Sequence, residues 1–220
     1  MSFEDLVMNE EFWQTLWKEG RIGFHEGTVN DFLARFYSRL NLVAGNHILV
    51  PLCGKSFDLD WLLAKGLIVT GVEFNQGAVE EVFARLNLTP EVDEIGPLRR
   101  YRSGALTLFA GDFYAVTSDL LGPVDAVYDR AAMVAIQPET RANYAAHVVE
   151  LTGGAQQLLI GFDYDQNAAD GPPFSLAQEL IMQAYGAQYT IELLKSIKVG
   201  GPFADGVDAD EQIWYLQPKG

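Results

Sequence analysis

Residues 47–56 read HILVPLCGKS and residues 67–74 read LIVTGVEF. Each is a short run of branched and aliphatic residues ending at a turn, the pattern of a strand buried on both faces. Between them, Ser56 to Lys65 is amphipathic and helix-length, so the stretch spells strand, helix, strand. The alternation continues outward. LTLFAG at 106–111, VDAVYD at 124–129 and QLLIGFDY at 157–164 are further strand candidates. Gln76 to Leu86, Pro138 to Leu151 and Ser175 to Tyr185 are amphipathic segments suited to the connecting helices. Right-handed crossovers make such a sheet parallel, so the expected architecture is doubly wound α/β.

Toward the C-terminus, YTIELLKSI and EQIWYLQ are separated by the turn-rich GGPFADGVDAD, which would let the last strand return antiparallel. Toward the N-terminus, Phe12 and Leu16, Trp13 and Trp17, and Phe32 and Phe36 recur at helical spacing, which predicts two helices around RIGFHEGTVN that cap the sheet. A chain of 220 residues fits one core, and it contains no repeat, low-complexity tract or dividing linker. The expectation is a single domain over 1–220, with a helical cover over 1–44 and a Rossmann-like core over 45–220.

Composition narrows the partners. Thirty acidic against 15 basic residues give a net charge of −15, a surface that repels nucleic acid and acidic membranes and leaves a small molecule as the expected ligand. The one cysteine, Cys53, cannot form an intrachain disulfide, and MSFEDLVMNEEFW opens with acids where a secretory leader would be basic and then apolar. A cytoplasmic location is expected. No apolar run approaches the ~18 residues of a bilayer span. The three histidines, His25, His47 and His147, are scattered and no paired cysteine spacing exists, so no metal is expected.

In an open parallel sheet, ligands bind beyond the carboxyl ends of the strands. The first such turn, Pro51 to Ser56, offers Gly54 for close backbone approach and Ser56 to cap the next helix. Its GKS invites a phosphate-loop reading, but Val50 stands where that motif needs a second glycine. After the second strand, Glu73 follows at the spacing from which a carboxylate accepts hydrogen bonds from ribose hydroxyls. The same residue could instead cap a helix or be solvated. The first turn lacks the G-x-G-x-x-G fingerprint, which favours a ligand without a pyrophosphate. After the third strand, Gly111-Asp112-Phe113 sets an acid beside an aromatic, suited to a hydrogen bond and a stacking face for a purine.

Together, EFW at 11–13, LW at 16–17, IGFHEG at 22–27, LCGKS at 52–56, Glu73, GDF at 111–113, Asp129-Arg130 and GPPF at 171–174 resemble the bacterial members of the thiopurine S-methyltransferase family. The resemblance runs in order from about residue 9 to about residue 198. It implies a class I methyltransferase with a mostly parallel, seven-stranded sheet that uses S-adenosyl-L-methionine and releases S-adenosyl-L-homocysteine. By the same resemblance, Trp13 and Trp17 lie near the cofactor, Leu52 gives backbone contacts to its methionine part, Glu73 holds its ribose, and Asp112 and Phe113 flank adenine. Arg130 is expected to be the catalytic residue and to contact both cofactor and acceptor. Phe24, Arg130, Pro172, Pro173 and Phe174 close over the acceptor, a small-molecule thiol or a selenium or tellurium oxyanion, on a protein expected to be monomeric. One departure concerns the acceptor: the family carries an arginine before the last strand, where this chain has the acidic Phe203 to Asp210.

Methyl transfer from a sulfonium to an anionic sulfur disperses charge, so positioning and water exclusion carry the rate and no dedicated base is required. Arg130 could hold an anionic acceptor or orient a water, or it could brace a nearby acid. His25 reads as structural, Cys53 as a small buried residue, and Trp13, Trp17 and Phe24 as core unless the family pattern makes them a lid. A nicotinamide dehydrogenase would show the missing glycine fingerprint, and a sensor that binds the cofactor without turnover is the non-enzymatic alternative.

Overall fold

The computed structural model describes residues 12–20, 25–199 and 207–220. A nine-stranded sheet forms the centre: β1 (His47–Val50), β2 (Ile68–Glu73), β3 (Glu91–Ile95), β4 (Leu98–Ser103), β5 (Leu106–Ala110), β6 (Ala126–Arg130), β7 (Gln156–Tyr164), β8 (Tyr189–Val199) and β9 (Ala209–Pro218), in the order 3-4-5-2-1-6-7-9-8. Strands β5, β2, β1, β6 and β7 pair in parallel, while β9 runs antiparallel to both β7 and β8. The helices are α1 (12–18), α2 (Asp31–Phe36), α3 (Asp58–Ala64), α4 (Gln76–Arg85), α5 (Ser118–Leu121), α6 (Arg141–Thr152) and α7 (Gln178–Tyr185).

The side-chain period of two divides the core into two layers. Ile48 and Val50 of β1, Tyr128 of β6 and Leu158 of β7 join Phe32, Leu59, Val82 and Phe83 on one face. Leu49, Val127 and Leu159, their neighbours in sequence, join Tyr144, Val148, Ile181 and Trp214 on the other. Burial on both faces is why these strands read as unbroken apolar runs. The chain steps from β1 to β2 and β5 in one direction and then to β6 and β7 in the other, so the strand order reverses between β1 and β6. The crevice beyond that pair is where an open sheet takes its ligand.

The expected seven strands are exceeded by two. The extra hairpin, β3 and β4, extends the sheet beyond β5 and carries few apolar residues to mark it. Opposite charges face each other across its ladder, Glu94 with Arg99 at 2.7 Å, Asp93 with Arg100, and Glu91 with Arg102 at 3.5 Å, while Leu98 and Tyr101 bury into the core. Gly96, at φ +57°, and Pro97 close it in a two-residue turn, for which a glycine at the first central position is suited. Ser56 also differs by one position from the expected cap: Phe57 occupies the N-cap of α3, and the Ser56 hydroxyl accepts from the Asp58 amide at 3.1 Å.

The N-terminal segments cover the sheet through one buried acid. Asp58, 1% exposed, accepts from the Asn30 backbone amide at 2.7 Å and from the Tyr128 hydroxyl at 3.0 Å. Asn30 in turn caps α2 by accepting from Phe32 N at 2.9 Å, and Phe32 and Leu33 bury behind it. Among the described residues, no helix is long and apolar enough to cross a membrane, and no cluster of His, Cys, Asp or Glu could hold a metal ion.

Close packing leaves no room for a side chain at Gly71 of β2 without a shift: a Cβ there would lie 2.6 Å from Cys53 Sγ and 2.6 Å from Leu108 Cδ2. Gly71→Ala is expected to lower unfolding free energy by about 1–3 kcal/mol. Urea denaturation checks this as a reduced midpoint at unchanged slope; an unaltered midpoint would show that the core yields there at no cost.

Candidate active site

The turns after β1 and β2 are joined by Glu73. Its Oε2 accepts from the Gly54 amide at 2.8 Å, and its Oε1 from the Asn75 amide at 2.7 Å. Asn75 then caps α4 by accepting from Ala78 N at 2.9 Å. Glu73 is 7% exposed, and burial raises its pKa to about 7 against the opposing backbone hydrogen bonds from Asn75, Gly54 and Phe74. The backbone takes part of the roughly four lone-pair sites of this carboxylate, leaving the remainder for hydroxyl donors.

A cleft beyond these strand ends is lined by Trp13, Trp17, Leu52, Glu73, Phe74, Ala131 and Ala135. Trp13 and Trp17, one helical turn apart on α1, form its aromatic side; Lys55 Nζ lies 5.7 Å from the Trp17 ring centroid and pairs with Glu81 at 2.6 Å. Leu52 and Ala131 both sit in the left-handed region, at φ +45° and +60°. They follow β1 and β6, the two strands that bracket the reversal. Side chains rarely adopt that conformation, and both of these residues line the cleft. Sequence reasoning identifies Leu52 but misses Phe74, Ala131 and Ala135: small and apolar residues carry no chemical signal, and positive φ in a non-glycine residue leaves none either.

Arg130 ends β6 and is nearly buried. Its Nη2 pairs with Glu26 of the cover at 3.0 Å, and its Nη1 with Asp58 at 3.5 Å. Burial alone would lower its pKa, yet Tyr128, Asp58 and Glu26 together raise it. The adjacent Asp129 points to the opposite face of the sheet, as strand geometry requires. It accepts from Met133 N at 3.0 Å and from the Tyr144 hydroxyl at 2.7 Å, and burial lifts its pKa to about 6. The two residues therefore belong to separate networks, and the acids beside Arg130 are Glu26 and Asp58.

After β5, Asp112 is exposed and accepts from Tyr114 N at 2.9 Å. Phe113, its expected aromatic partner, packs against the core. The Phe113 ring, 6% exposed, is tilted against Tyr144 at 5.4 Å and meets His147 edge-on at 5.0 Å. An apolar ring entering a short turn gains more from that burial than from solvent.

Pro172, Pro173 and Phe174, expected over the acceptor, are half-buried. Phe174 N donates to Val134 O at 2.7 Å, the Tyr164 hydroxyl donates to Pro173 O at 2.8 Å, and the Phe174 ring lies over Gly171. Phe24, and residues 203–206 of the acidic segment, lie outside the described residues; Asp208 and Asp210 pair with Lys198 at 2.8 and 3.0 Å. His25 stacks on Phe57 at 6.0 Å, and burial lowers its pKa. Cys53 is buried, and desolvation followed by the Glu73 charge raises its thiol pKa, which disfavours the thiolate a nucleophile needs.

Glu73 makes stability pH-dependent. Its folded pKa of about 7 exceeds its ordinary 4.5, so between those values the native state binds more protons than the unfolded state. Stability from this residue is present below the unfolded pKa and is lost as pH rises toward 7, at up to about 1.4 kcal/mol per unit. Comparing urea unfolding of wild type and Glu73→Gln from mildly acidic to neutral pH should show wild type losing ground to the variant. A constant difference would show that Glu73 titrates normally.

Comparison with known proteins fits this geometry. The family model for thiopurine S-methyltransferase (TPMT) matches residues 8–218. The chain is 42% identical over 214 residues to the thiopurine S-methyltransferase of Gluconobacter oxydans, with 97% of each chain covered. It is 44% identical over 218 residues to that of Pseudomonas aeruginosa, covering 97% of this chain and 100% of the relative. Among solved structures, the Burkholderia thailandensis 1,6-didemethyltoxoflavin-N1-methyltransferase, with 1,6-didemethyltoxoflavin and S-adenosylhomocysteine bound, has a TM-score of 0.66 at 12% identity, with 100% of this chain and 92% of that chain covered. The magnesium protoporphyrin IX methyltransferase of Synechocystis, with S-adenosylmethionine bound, has a TM-score of 0.64 at 12% identity, with 99% and 98% covered. At those identities the structural likeness speaks for the fold, and the near-full-length sequence match decides the rest: the chain belongs to the thiopurine S-methyltransferase family.

Proposed function

We propose that this protein is an S-adenosylmethionine-dependent S-methyltransferase acting on thiopurines or related aromatic thiols. The carrying observation is Glu73, a buried carboxylate that ties the first two strand turns together at the floor of an aromatic-sided cleft. The donor groups fit the cofactor. The unused lone pairs of Glu73 suit a ribose diol. The rings of Trp13 and Trp17 suit a sulfonium cation, because an aromatic face carries negative electrostatic potential. The turn at Leu52 brings backbone groups toward the amino acid end, and the turn at Asp112 and Phe113 stands on the side where adenine would lie.

When bound, the cofactor supplies an electrophilic methyl group on a cationic sulfur. What this chain's residues contribute is alignment and exclusion of water. The tryptophans and the cover close the cleft on one side, with Phe24 in the same segment. Pro172, Pro173 and Phe174 close it on the other, so that a thiolate meets the methyl group in line. Arg130, beside Glu26 and Asp58, holds the acceptor end in place. The protein acts as a single-domain, cytoplasmic monomer in this reading, and selenium or tellurium oxyanions are the alternative acceptors.

Calorimetric titration with S-adenosylhomocysteine is expected to show binding by wild type, weakened about tenfold or more in Glu73→Ala. Binding should tighten from pH 6 to pH 8, because Glu73 titrates at about 7 and its ionised form is the stronger acceptor. Absence of binding to wild type would sink the proposal. For Arg130→Lys, turnover of an aryl thiol should fall about tenfold or more while donor affinity is retained. Unchanged turnover would leave Arg130 as a brace for Glu26 and Asp58.

A further inference from the structure

Arg141, the first residue of α6, is 5% exposed and meets carbonyl oxygens. Its Nε donates to Ile136 O at 3.3 Å and its Nη1 to Ser175 O at 2.8 Å; Nη2 is buried without a hydrogen-bond partner among the described residues. Removing a guanidinium from water costs several kcal/mol unless strong interactions offset it. Hydrogen bonds from a charged donor are roughly twice as strong as neutral ones. An investment of that size in two carbonyls calls for a reason beyond filling space.

The two carbonyls belong to different loops. Ile136 directly follows Ala135, which lines the cleft on the stretch that begins at Ala131. Ser175 directly follows Phe174. The loops are joined a second time where Phe174 N donates to Val134 O at 2.7 Å, and the Phe174 ring lies 6.0 Å from the guanidinium. Ser175 is fixed further: its amide donates to Gln166 Oε1 at 2.8 Å and its hydroxyl accepts from Tyr164 N at 3.1 Å. The planar fork of Arg141 is thus the side chain that sets the spacing between the cleft floor and the 171–175 loop. A lysine, with a single nitrogen, cannot reproduce two divergent bonds.

We infer that Arg141 is a positioning residue for the methyl acceptor, acting by locking the 171–175 loop to the Ala135–Ile136 floor of the cleft. The inference rests on the proposed reading only in taking that loop as the acceptor's cover. Arg141 acts mainly on the acceptor side: its hydrogen bonds go to Ile136 and Ser175, while Glu73 is held by the Gly54 and Asn75 amides.

Arg141→Lys and Arg141→Ala test this. Steady-state kinetics with thiophenol should show the acceptor KM raised about tenfold or more with kcat within about threefold, and S-adenosylhomocysteine affinity by calorimetry unchanged. Millimolar guanidinium should restore the acceptor KM of Arg141→Ala, and methylammonium should not. Hydrogen exchange should quicken at the Phe174 and Ser175 amides while those of α6 and β1 stay protected. The inference is overturned if the variants lose thermal stability with acceptor KM unchanged, if donor and acceptor affinities fall together, or if exchange in the loop is unaltered. Should wild type bind S-adenosylhomocysteine and methylate no thiol, the proposed acceptor class fails, while the exchange experiment still decides whether Arg141 locks the loop.

Discussion

The 2.8 Å hydrogen bond from the Gly54 amide to the buried carboxylate of Glu73 is the contact from which the working end of this protein is organised. Two adjacent parallel strands must each end in a turn, and the turn after β1 is already tied to β2 where Cys53 N donates to Val72 O at 3.0 Å. Glu73 spans them, and through Asn75 it also sets the start of α4. The same burial that makes it rigid lifts its pKa toward neutrality. A carboxylate held by the backbone yet still able to accept from a ligand is pre-organised, so less ordering remains to be done on binding.

Asp58 performs a comparable task for the N-terminal cover. It receives the Asn30 amide, the Tyr128 hydroxyl and one nitrogen of Arg130, while Glu26 of the cover takes the other. A buried ion pair of this kind adds little net stability, since desolvation consumes most of the attraction. Its value is geometric: it specifies where the cover docks, beside the cleft that Trp13 and Trp17 line. The acidic surface of the whole chain, net charge −15, is consistent with a small neutral or locally neutralised ligand reaching this cleft and with polyanions being kept away.

The strain at Leu52 and Ala131 completes the picture of a site whose cost is carried by the scaffold. Each side chain is held in a left-handed conformation at the mouth of the strand reversal. The residues that surround them, from Cys53 packed on Gly71 to the Tyr144–Asp129 pair, are buried and well partnered. Rigid packing around a strained turn is what allows the strain to persist.

The sequence by itself determined the alternating strands and helices, the doubly wound class, the cover helices and the position of Glu73, because each rests on periodicity or on chain spacing, which are local. It also pointed to Trp13, Trp17 and Leu52 through family resemblance. The β3–β4 hairpin escaped it, since its sequence is dominated by cross-strand charges such as Glu94 and Arg99, and its buried Leu98 and Tyr101 do not make an apolar alternation. Only the tertiary structure decided that Phe113 faces Tyr144 in the core, that Arg130 pairs with Glu26 and Asp58 and not with its neighbour Asp129, and that Ala131 and Ala135 floor the cleft. Those outcomes depend on which residues from distant parts of the chain converge. Strand pleat, sheet order and the docking of the cover set that convergence, and no single stretch of sequence carries it.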